Sequence, residues 1–458
     1  MSTEYKASVG QEYEYDIVVC GGGCAGFAAA IAGARGGAKT VLLEKSHMIG
    51  GMSTGGLVGP FMTSFDGRGE RQIVKGIFDE VATRLEQEGA AIHPSKVGDG
   101  TPYACYYQGY DRRHSHVTPF RADRMQLMML HMLDEEQVDY LINVCVVDVM
   151  MEEKTVKGVV AFDGNDFRIY RAKVVIDCSG DGLVSLKAGA VREECREGKL
   201  EVQPMSTFFS VYNVDEQVIE AYISEHPEER GMLFQSYVEK AMEAMDDYPV
   251  PRNKVGMYRG VNPGEWGMNC TRIQGLNNTV PEDYVKAYKT GLEQIFFLMD
   301  FIRGLPGLQD VMLKEIAPMV GVRESRRIEG VYTLEAEDMI DPPKEFEDSI
   351  AMGSFLLDLH PAQGTRAGID TRPVVANCFQ IPYRILVPNA VDGLLVAGRC
   401  VSGSRDAMSS IRVMPQAFAM GEAAGTAAAI CAKEAVRPRD VDVKALQETL
   451  VSHGAVIR

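Results

Sequence analysis

Three glycines near the start of the chain have the spacing Gly-x-Gly-x-x-Gly, at Gly21, Gly23 and Gly26. Glycine there permits a tight turn, a close approach of backbone to a diphosphate, and close packing of the following helix on its strand. The N–H groups at the start of that helix attract negative charge. Glu44 ends the next strand, where a carboxylate can accept hydrogen bonds from an adenosine ribose. The pattern predicts an adenine dinucleotide without a 2′-phosphate, either FAD or NAD.

A second glycine-dense loop, residues 50–56, follows shortly after Glu44 and Lys45. Such a loop has little purpose in a domain that binds only NAD. It suits a longer cofactor, whose diphosphate and ribityl chain continue across the edge of the sheet. The loop therefore favours FAD.

Three arginines, Arg323, Arg326 and Arg327, cluster in an otherwise acidic chain. They could bind a substrate carboxylate or neutralise a reduced flavin. They could equally form ion pairs with Glu324 and Glu329, and both interpretations stay open. In an extended segment Arg323 and Arg327 would share a face, with Arg326 on the other.

Proton transfer requires an acid or a base near the substrate, and the candidates are His360, Tyr383 and one of His114 or His116. A lone histidine such as His360 is more often structural, so that alternative stays open. His114 and His116 could form half of a metal site, but no second half with ligand spacing follows. We predict no metal, and a solvated loop or a lid over the substrate at these histidines.

The elements that must position these residues occur at both ends of the chain. Apolar strands are predicted at residues 16–20, 39–44 and 394–399, and an Ala- and Gly-rich helix at residues 415–432. The middle of the chain mixes β-like segments with longer helices. We predict an FAD-binding domain made of residues 14–202 and 373–458, with an inserted α+β substrate domain at residues 203–372.

The composition indicates a globular protein with an acidic surface. The 458 residues include 47 Lys and Arg against 64 Asp and Glu, a formal net charge of −17. Such a charge repels phosphate backbones, so we expect no nucleic-acid partner. Ten scattered cysteines favour reduced thiols, and no apolar run reaches the ~18 residues of a membrane span. We expect a soluble cytoplasmic protein without a membrane partner.

Four segments, residues 16–23, 50–61, 177–182 and 396–399, resemble the FAD-dependent oxidoreductases of the glutathione-reductase-like superfamily. Three further segments resemble one subfamily, stand-alone bacterial FAD-dependent oxidoreductases, many of unassigned substrate. These segments are residues 321–328, 381–384 and 410–415. The resemblance implies an α/β fold, a three-layer Rossmann-like FAD-binding domain with a parallel sheet, helices and a β-meander.

The glycine spacing and the resemblance together assign the contacts with FAD. The assigned residues are Gly21, Gly23, Cys24, Ala25, Gly26, Glu44, Lys45, Gly51, Met52, Ser53, Thr54, Val146, Ser179, Gly180, Asp181, Gly398, Arg399, Ile411, Arg412 and Val413. In relatives the helix that opens at residues 409–415 points at the flavin pyrimidine, where its N–H groups would stabilise negative charge. Pro415 suits the first turn of that helix.

Two differences from better-known relatives argue against particular kinds of redox centre or domain. Disulfide reductases of the superfamily carry a cysteine pair just after the second glycine loop, but residues 52–61 contain no cysteine. We therefore expect no dithiol centre. The cluster at residues 180–182 lacks a downstream strand with a terminal acid, so a dedicated nicotinamide domain is not expected, although NAD(P)H could bind as an ordinary substrate.

The resulting expectation is an enzyme that transfers a hydride between flavin N5 and a small organic substrate bearing a carboxylate or a hydroxyl. Arg323 and Arg327 would bind the anion, and His360 or Tyr383 would move a proton. The direction of the reaction, the electron partner and a homo-oligomeric state stay open. Two alternatives are a non-catalytic flavin-holding or electron-transfer component and, against the net charge, a flavin-dependent RNA-modifying enzyme.

Overall fold

The computed structural model of the chain describes residues 8–98, 116–195, 202–229, 231–364 and 375–458. His114 and residue 372, the predicted end of the inserted domain, lie outside these ranges. The strands of the largest sheet are β1 Val9–Cys20, β2 Thr40–Glu44, β3 Asp139–Ile142, β4 Cys145–Glu152, β5 Thr155–Phe162, β6 Phe167–Asp177 and β13 Leu394–Val396. Their order is β3-β2-β1-β6-β5-β4, and β13 pairs with β6.

Most of this sheet is parallel. The pairs β1–β2, β2–β3, β1–β6 and β6–β13 are parallel, whereas β4–β5 and β5–β6 are antiparallel. The predicted α/β fold, a parallel sheet with an adjoining β-meander, is confirmed. β1 begins at Val9, before the predicted start at residue 16, because its first half pairs with β6.

The helices are α1 Cys24–Arg35, α2 Ile77–Gln87, α3 Ala122–Glu135, α4 Leu183–Lys187, α5 Glu216–Glu225, α6 Gln235–Ala244, α7 Pro281–Ile302, α8 Arg405–Ile411, α9 Met414–Glu434 and α10 Val443–Ser452. Helices α1 and α9 pack closely through small residues. A Cβ added to Gly421 would lie 2.0 Å from the Ala25 carbonyl oxygen, and one on Gly425 would lie 2.2 Å from that of Ala29. This contact explains why α9 is rich in alanine and glycine.

The remaining strands are β7 Phe209–Tyr212, β8 Met257–Arg259, β9 Trp266–Met268, β10 Met312–Ile316, β11 Ser349–Gly353 and β12 Phe379–Pro382. The order β10-β7-β9-β8 forms an antiparallel sheet. It shares a separate apolar core with α5, α6 and α7 that includes Phe234 and Trp266. The antiparallel pair β11–β12 packs instead into the core of the large sheet, through Ile350 and Phe379. The predicted domain boundaries stay a prediction.

The predicted helix start at residues 409–415 differs from the observed one. Ser409 and Ser410 belong to α8, which ends at Ile411, and α9 begins separately at Met414 with Pro415 in its first turn. No helix within the described ranges is long and apolar enough to cross a membrane.

Candidate active site

A cavity of about 790 Å³ lies at the carboxyl ends of the parallel strands. Cys20, Glu44, Cys178 and Ala397, at the ends of β1, β2, β6 and β13, line one side of it. Ligands of open parallel sheets bind at this edge, because the loops that follow the strands converge there. The opposite side comes from residues 252–269 and 319–323 and from residues near β11.

The first glycine loop has the conformation that its spacing predicts. Gly21 has φ +107°, and a Cβ on Gly26 would lie 1.7 Å from the Gly21 carbonyl oxygen, so neither position accepts a side chain. A Cβ on Gly23 would meet only Gly51, at 3.9 Å, and Gly23 lines the cavity together with Gly21, Cys24 and Ala25. Gly26 does not line the cavity, because its role is the close contact between α1 and the loop.

Glu44 is held at the end of β2 by backbone hydrogen bonds. Its Oε2 accepts from the Gly22 N–H at 2.6 Å and its Oε1 from the Ser46 N–H at 2.7 Å. Each carboxylate oxygen has two lone pairs, so both can accept a further bond from a ligand hydroxyl. Lys45 and Val146 line the same part of the cavity.

The second glycine loop contributes Gly51 and Met52 to the cavity wall, but not the two hydroxyl side chains that follow. Ser53 Oγ donates to the Gly50 carbonyl oxygen at 2.8 Å, and Thr54 Oγ1 donates to that of Ile49 at 2.6 Å. Both hydroxyls stabilise the loop itself. Ile411 is likewise buried away from the cavity, whereas Arg412 and Val413 line it.

An ion pair joins the loops that follow β6 and β13. Arg399 Nη2 donates to Asp181 Oδ1 at 3.1 Å, and Lys45 Nζ lies 3.4 Å from Asp181 Oδ2. Burial alone would raise the pKa of Asp181, but the charges of Arg399 and Lys45 lower it. Ser179, Gly180 and Gly398 line the cavity beside this pair. Arg399 Nη1 is buried without a hydrogen-bond partner among the described residues, which fits a place beside an anion.

The opposite side of the cavity is strongly positive. We call Arg252, Lys254, Arg272, Arg323 and Arg412 the cationic wall. All but Arg272 line the cavity, and Arg272 lies directly behind His360.

Two arginines of the cationic wall, Arg323 and Arg272, are held by neutral groups. Arg323 Nη1 donates to the Pro204 carbonyl oxygen at 2.7 Å and to Ser206 Oγ at 2.8 Å. Arg272 Nη2 donates to the carbonyl oxygen of Pro361 at 2.8 Å.

Asp358 is the carboxylate of this part of the cavity. Its Oδ2 lies 3.3 Å from Arg412 Nη2 and its Oδ1 lies 3.3 Å from His360 Nε2. Burial, followed by the charges of Arg412 and Arg252, lowers the pKa of Arg323 to about 9, so this guanidinium stays charged at neutral pH. Within the described ranges the cavity therefore has more positive than negative charge on this side, an arrangement that attracts an anion.

His360 lines the cavity, but both of its ring nitrogens are engaged. Nδ1 lies 3.5 Å from Arg272 Nη1, and because arginine only donates, this nitrogen accepts. Nε2 then carries the hydrogen and donates to Asp358. Burial lowers the pKa of His360 to about 4 in spite of the neighbouring carboxylate. The ring is therefore neutral at pH 7 and orients Asp358 and Arg272.

Three other predicted residues lie outside the cavity. Arg327 Nη1 pairs with Glu324 Oε1 at 2.7 Å, and both side chains are buried. The hydroxyl of Tyr383 donates to the Pro438 carbonyl oxygen at 2.8 Å. His116 stacks on Phe65 with ring centroids 4.0 Å apart. The geometry thus favours the ion-pair interpretation of Arg327 and a packing role for Tyr383.

Sequence reasoning missed Arg252, Lys254, Arg272 and Asp358. One signal was available, since Arg252 and Lys254 are separated by one residue and therefore share a face if the segment is extended. Two buried cations on one face of a segment that precedes a strand are typical of a binding site.

The fold and the two glycine loops define a dinucleotide-binding protein, and a comparison with family models identifies its class. Residues 16–450 match the family described as FAD dependent oxidoreductase. Because the match covers most of the chain, the protein belongs to this family of enzymes, and its cofactor is FAD. The resemblance seen in the sequence is confirmed. A search among curated proteins finds no match.

Solved structures provide further similarities. A geranylgeranyl bacteriochlorophyll reductase-like protein from Thermoplasma acidophilum has 15% identity and a TM-score of 0.45, with 96% of this chain and 83% of the other covered. A p-nitrophenol 4-monooxygenase from Pseudomonas putida has 13% identity and a TM-score of 0.47, with 96% and 84% covered. Similarity at this level says nothing about the substrate of this chain.

Proposed function

We propose that this enzyme transfers a hydride between flavin N5 and a small organic substrate that carries a carboxylate. The observation that carries the proposal is that one cavity joins the glycine loops to the cationic wall. When bound, FAD supplies the group that accepts or donates two electrons. The protein binds the cofactor, orients the substrate and sets the electrostatics.

The residues proposed to hold FAD are those of the sequence assignment that line the cavity. They are Gly21, Gly23, Cys24, Ala25, Glu44, Lys45, Gly51, Met52, Val146, Ser179, Gly180, Asp181, Gly398, Arg399, Arg412 and Val413. The open space at Gly23 and the orphaned Arg399 Nη1 both fit a diphosphate nearby. Gly26, Ser53, Thr54 and Ile411 would act indirectly, by maintaining the shape of the loops.

The start of α9 gives electrostatic support to the same proposal. Val413 and Met414 line the cavity, so the first turn of this long helix opens towards it. The first N–H groups of a helix have no partner within the helix and carry positive charge. They would stabilise negative charge on a reduced flavin.

Arg323 and Arg412 are proposed to bind the substrate carboxylate, Arg412 in addition to its proposed contact with FAD. Arg323 lines the cavity, and within the described ranges its hydrogen bonds go to a carbonyl and a hydroxyl oxygen, neither of which carries a full negative charge. Arg412 Nε is buried without a hydrogen-bond partner among the described residues. Charged hydrogen bonds to a carboxylate at two such groups would fix the orientation of the substrate.

Anaerobic stopped-flow measurement tests this function, with flavin reduction followed for substrates that can be oxidised and reoxidation of chemically reduced flavin followed for enoates. A panel of hydroxy acids, polyols, amino acids and enoates covers both neutral and anionic substrates. We expect reaction only with carboxylate-bearing members, and a loss of about 10- to 100-fold in kcat/KM for Arg323→Met, the effect of one charged hydrogen bond.

The matched control for that variant is Arg327→Met. It should lower the unfolding temperature through the loss of the Glu324 ion pair, but change the kinetics little. Equal kinetic losses in both variants would contradict the assignment of Arg323. If a chemical reductant reduces the flavin but no member of the panel reacts with it, the result would favour the electron-carrier alternative.

A further inference from the structure

The cationic wall contains one side chain that differs from its neighbours in chemistry. Lys254 lines the cavity and is only 5% exposed. Its Nζ donates to the Gly231 carbonyl oxygen at 2.9 Å, which holds the amine in place. The flanking Val250 and Val255 are buried in the apolar core of the second sheet, so the segment that carries Lys254 is firmly anchored. Unlike a guanidinium, an amine can exist in the neutral form in proteins.

Hydride transfer to or from a carbon that bears a hydroxyl requires a partner for the hydroxyl proton. Four other titratable groups that line the described part of the cavity are poorly suited to this task. Both nitrogens of His360 are engaged, and Asp358 is bound to two cationic or hydrogen-donating partners. Burial raises the pKa of the Cys24 thiol to about 12. Glu44 lies at the opposite end, with both oxygens bonded to backbone N–H groups.

The surroundings of Lys254 favour an amine that changes its protonation near neutral pH. Burial and the neighbouring charge of Arg252 lower the pKa of Lys254 to about 7, while Asp358 and Cys270 act in the opposite direction. Both protonation states are therefore populated at the pH of most enzymes. Such an amine can accept a proton in one direction of a reaction and donate it in the other.

We propose that Lys254 Nζ exchanges the proton that accompanies hydride transfer, and that the substrate is a hydroxy acid or the corresponding oxo acid. The inference rests on the proposed function. In oxidation, the C–H bond breaks and its electron pair leaves with the hydrogen to flavin N5. The O–H proton moves to the neutral amine, which becomes ammonium, and the C–O bond becomes C=O. Reduction is the same step reversed, with ammonium as the acid.

The pH dependence of the reaction tests the role of Lys254. For the best hydroxy acid of the panel, the anaerobic rate of flavin reduction should rise with pH with a midpoint of about 7, since the neutral amine is the reactive form. Lys254→Gln should lower the rate about 100- to 10,000-fold and remove that midpoint. Lys254→Arg, which keeps the positive charge, should be equally slow.

Two controls separate catalysis from structure. Lys289→Gln, an exposed change on α7, should leave rate and midpoint unchanged. Small primary amines should restore part of the rate to Lys254→Ala, which a purely structural role would not permit. A Lys254→Gln enzyme with the wild-type midpoint and rate would overturn the inference. Reaction of the wild-type protein with another carboxylate of the panel but with no hydroxy acid would also overturn the inference, whereas no reaction with any carboxylate would contradict the proposed function.

A second measurement needs no substrate. Acetylation of the holoenzyme by acetic anhydride across a pH series, followed by peptide mass spectrometry, reports the fraction of each amine that is neutral. Lys254 should become reactive with a midpoint of about 7. Lys289 provides the comparison at the usual lysine pKa of about 10.4. A Lys254 midpoint near that of Lys289 would overturn the inference.

Discussion

At the scale of single residues, the cationic wall combines charge with burial. Arg323 and Arg412 are charged at neutral pH although burial lowers the pKa of both guanidinium groups. Their mutual repulsion is strong in a medium of low dielectric constant, and an anion relieves it. A protein with a net charge of −17 thus concentrates positive charge at one point, which would also speed the approach of the proposed anionic substrate.

Gly23→Trp tests the proposed diphosphate site at this scale. The backbone can accommodate a Cβ at Gly23, whose nearest contact would be 3.9 Å away, so the variant should fold while its indole fills the cavity. We expect purified protein without flavin absorbance. Gly304→Trp, at an exposed glycine beyond α7, is the control and should keep full flavin. Retention of full flavin by Gly23→Trp would show that the diphosphate lies elsewhere.

The roles of single residues could be predicted from sequence where they depend on residues nearby in the chain. Gly21, Gly26 and Glu44 belong to a turn and a strand end whose roles depend on close sequence neighbours. Asp358 and Arg412 are far apart in sequence, and only the tertiary fold brings their side chains within 3.3 Å of one another. Arg323 and Arg327 are both arginines within three residues of Glu324, and sequence alone cannot show which of the two forms an ion pair with it.

At the scale of elements, the start of α2 depends on a side chain from α9. Glu422 Oε2 accepts from the Ile77 N–H at 3.0 Å, and the carboxyl is only 2% exposed. Burial raises the pKa of Glu422 to about 7, although the backbone bond and Arg35 act in the opposite direction. The buried carboxyl of Glu422 in α9 thus caps the N-terminus of α2.

Glu422→Gln should make the protein more stable at higher pH. The folded-state pKa of Glu422 lies above its unfolded value of about 4.5, so its stabilising contribution is greatest below pH 4.5 and is lost as pH rises to about 7. The variant avoids that loss, which is at most about 3 kcal/mol. Its unfolding temperature relative to wild type should therefore rise between pH 5 and pH 8. Glu434→Gln, at the exposed end of α9, is the control, and equal pH profiles for all three proteins would contradict the role of Glu422.

Element types were easier to predict than their exact ends. Helix α9 is evident from its alanine and glycine content, and its Pro415 marks the first turn. The separate short helix α8 was not predicted, because its limits depend on tertiary hydrogen bonds, such as the one from Ser410 Oγ to the Phe355 carbonyl oxygen. The antiparallel pair β11–β12 was also not predicted, because a long connection separates its two strands in sequence.

At the scale of the whole molecule, FAD should act as an internal connector. The proposed contacts come from the loops after β1, β2, β6 and β13, and from Arg412 beside α9, so bound cofactor would link segments from both ends of the chain. A ligand that binds only the folded protein stabilises it by about 2.7 kcal/mol at a hundred times its Kd.

The apoprotein should therefore gain thermal stability on addition of FAD, measured as the unfolding temperature against cofactor concentration. ADP should produce a smaller gain, because it retains the diphosphate and adenosine of FAD but lacks the flavin. Riboflavin should produce the smallest, since it lacks the diphosphate that the glycine loops are proposed to bind. Equal effects of riboflavin and FAD would contradict a site built around Gly21 and Gly23.

The strand order has a consequence for the newly synthesised chain. Strand β1 is translated first, but its sheet is completed by β13, and the cavity by Ala417, nearly four hundred residues later. At about 5–20 residues per second, a ribosome needs roughly 20–80 s for that interval. During this time the apolar face of α1 lacks α9 as its cover. Cofactor insertion is thus an event of late translation or of the released polypeptide, and chaperones have that interval in which to protect the exposed face.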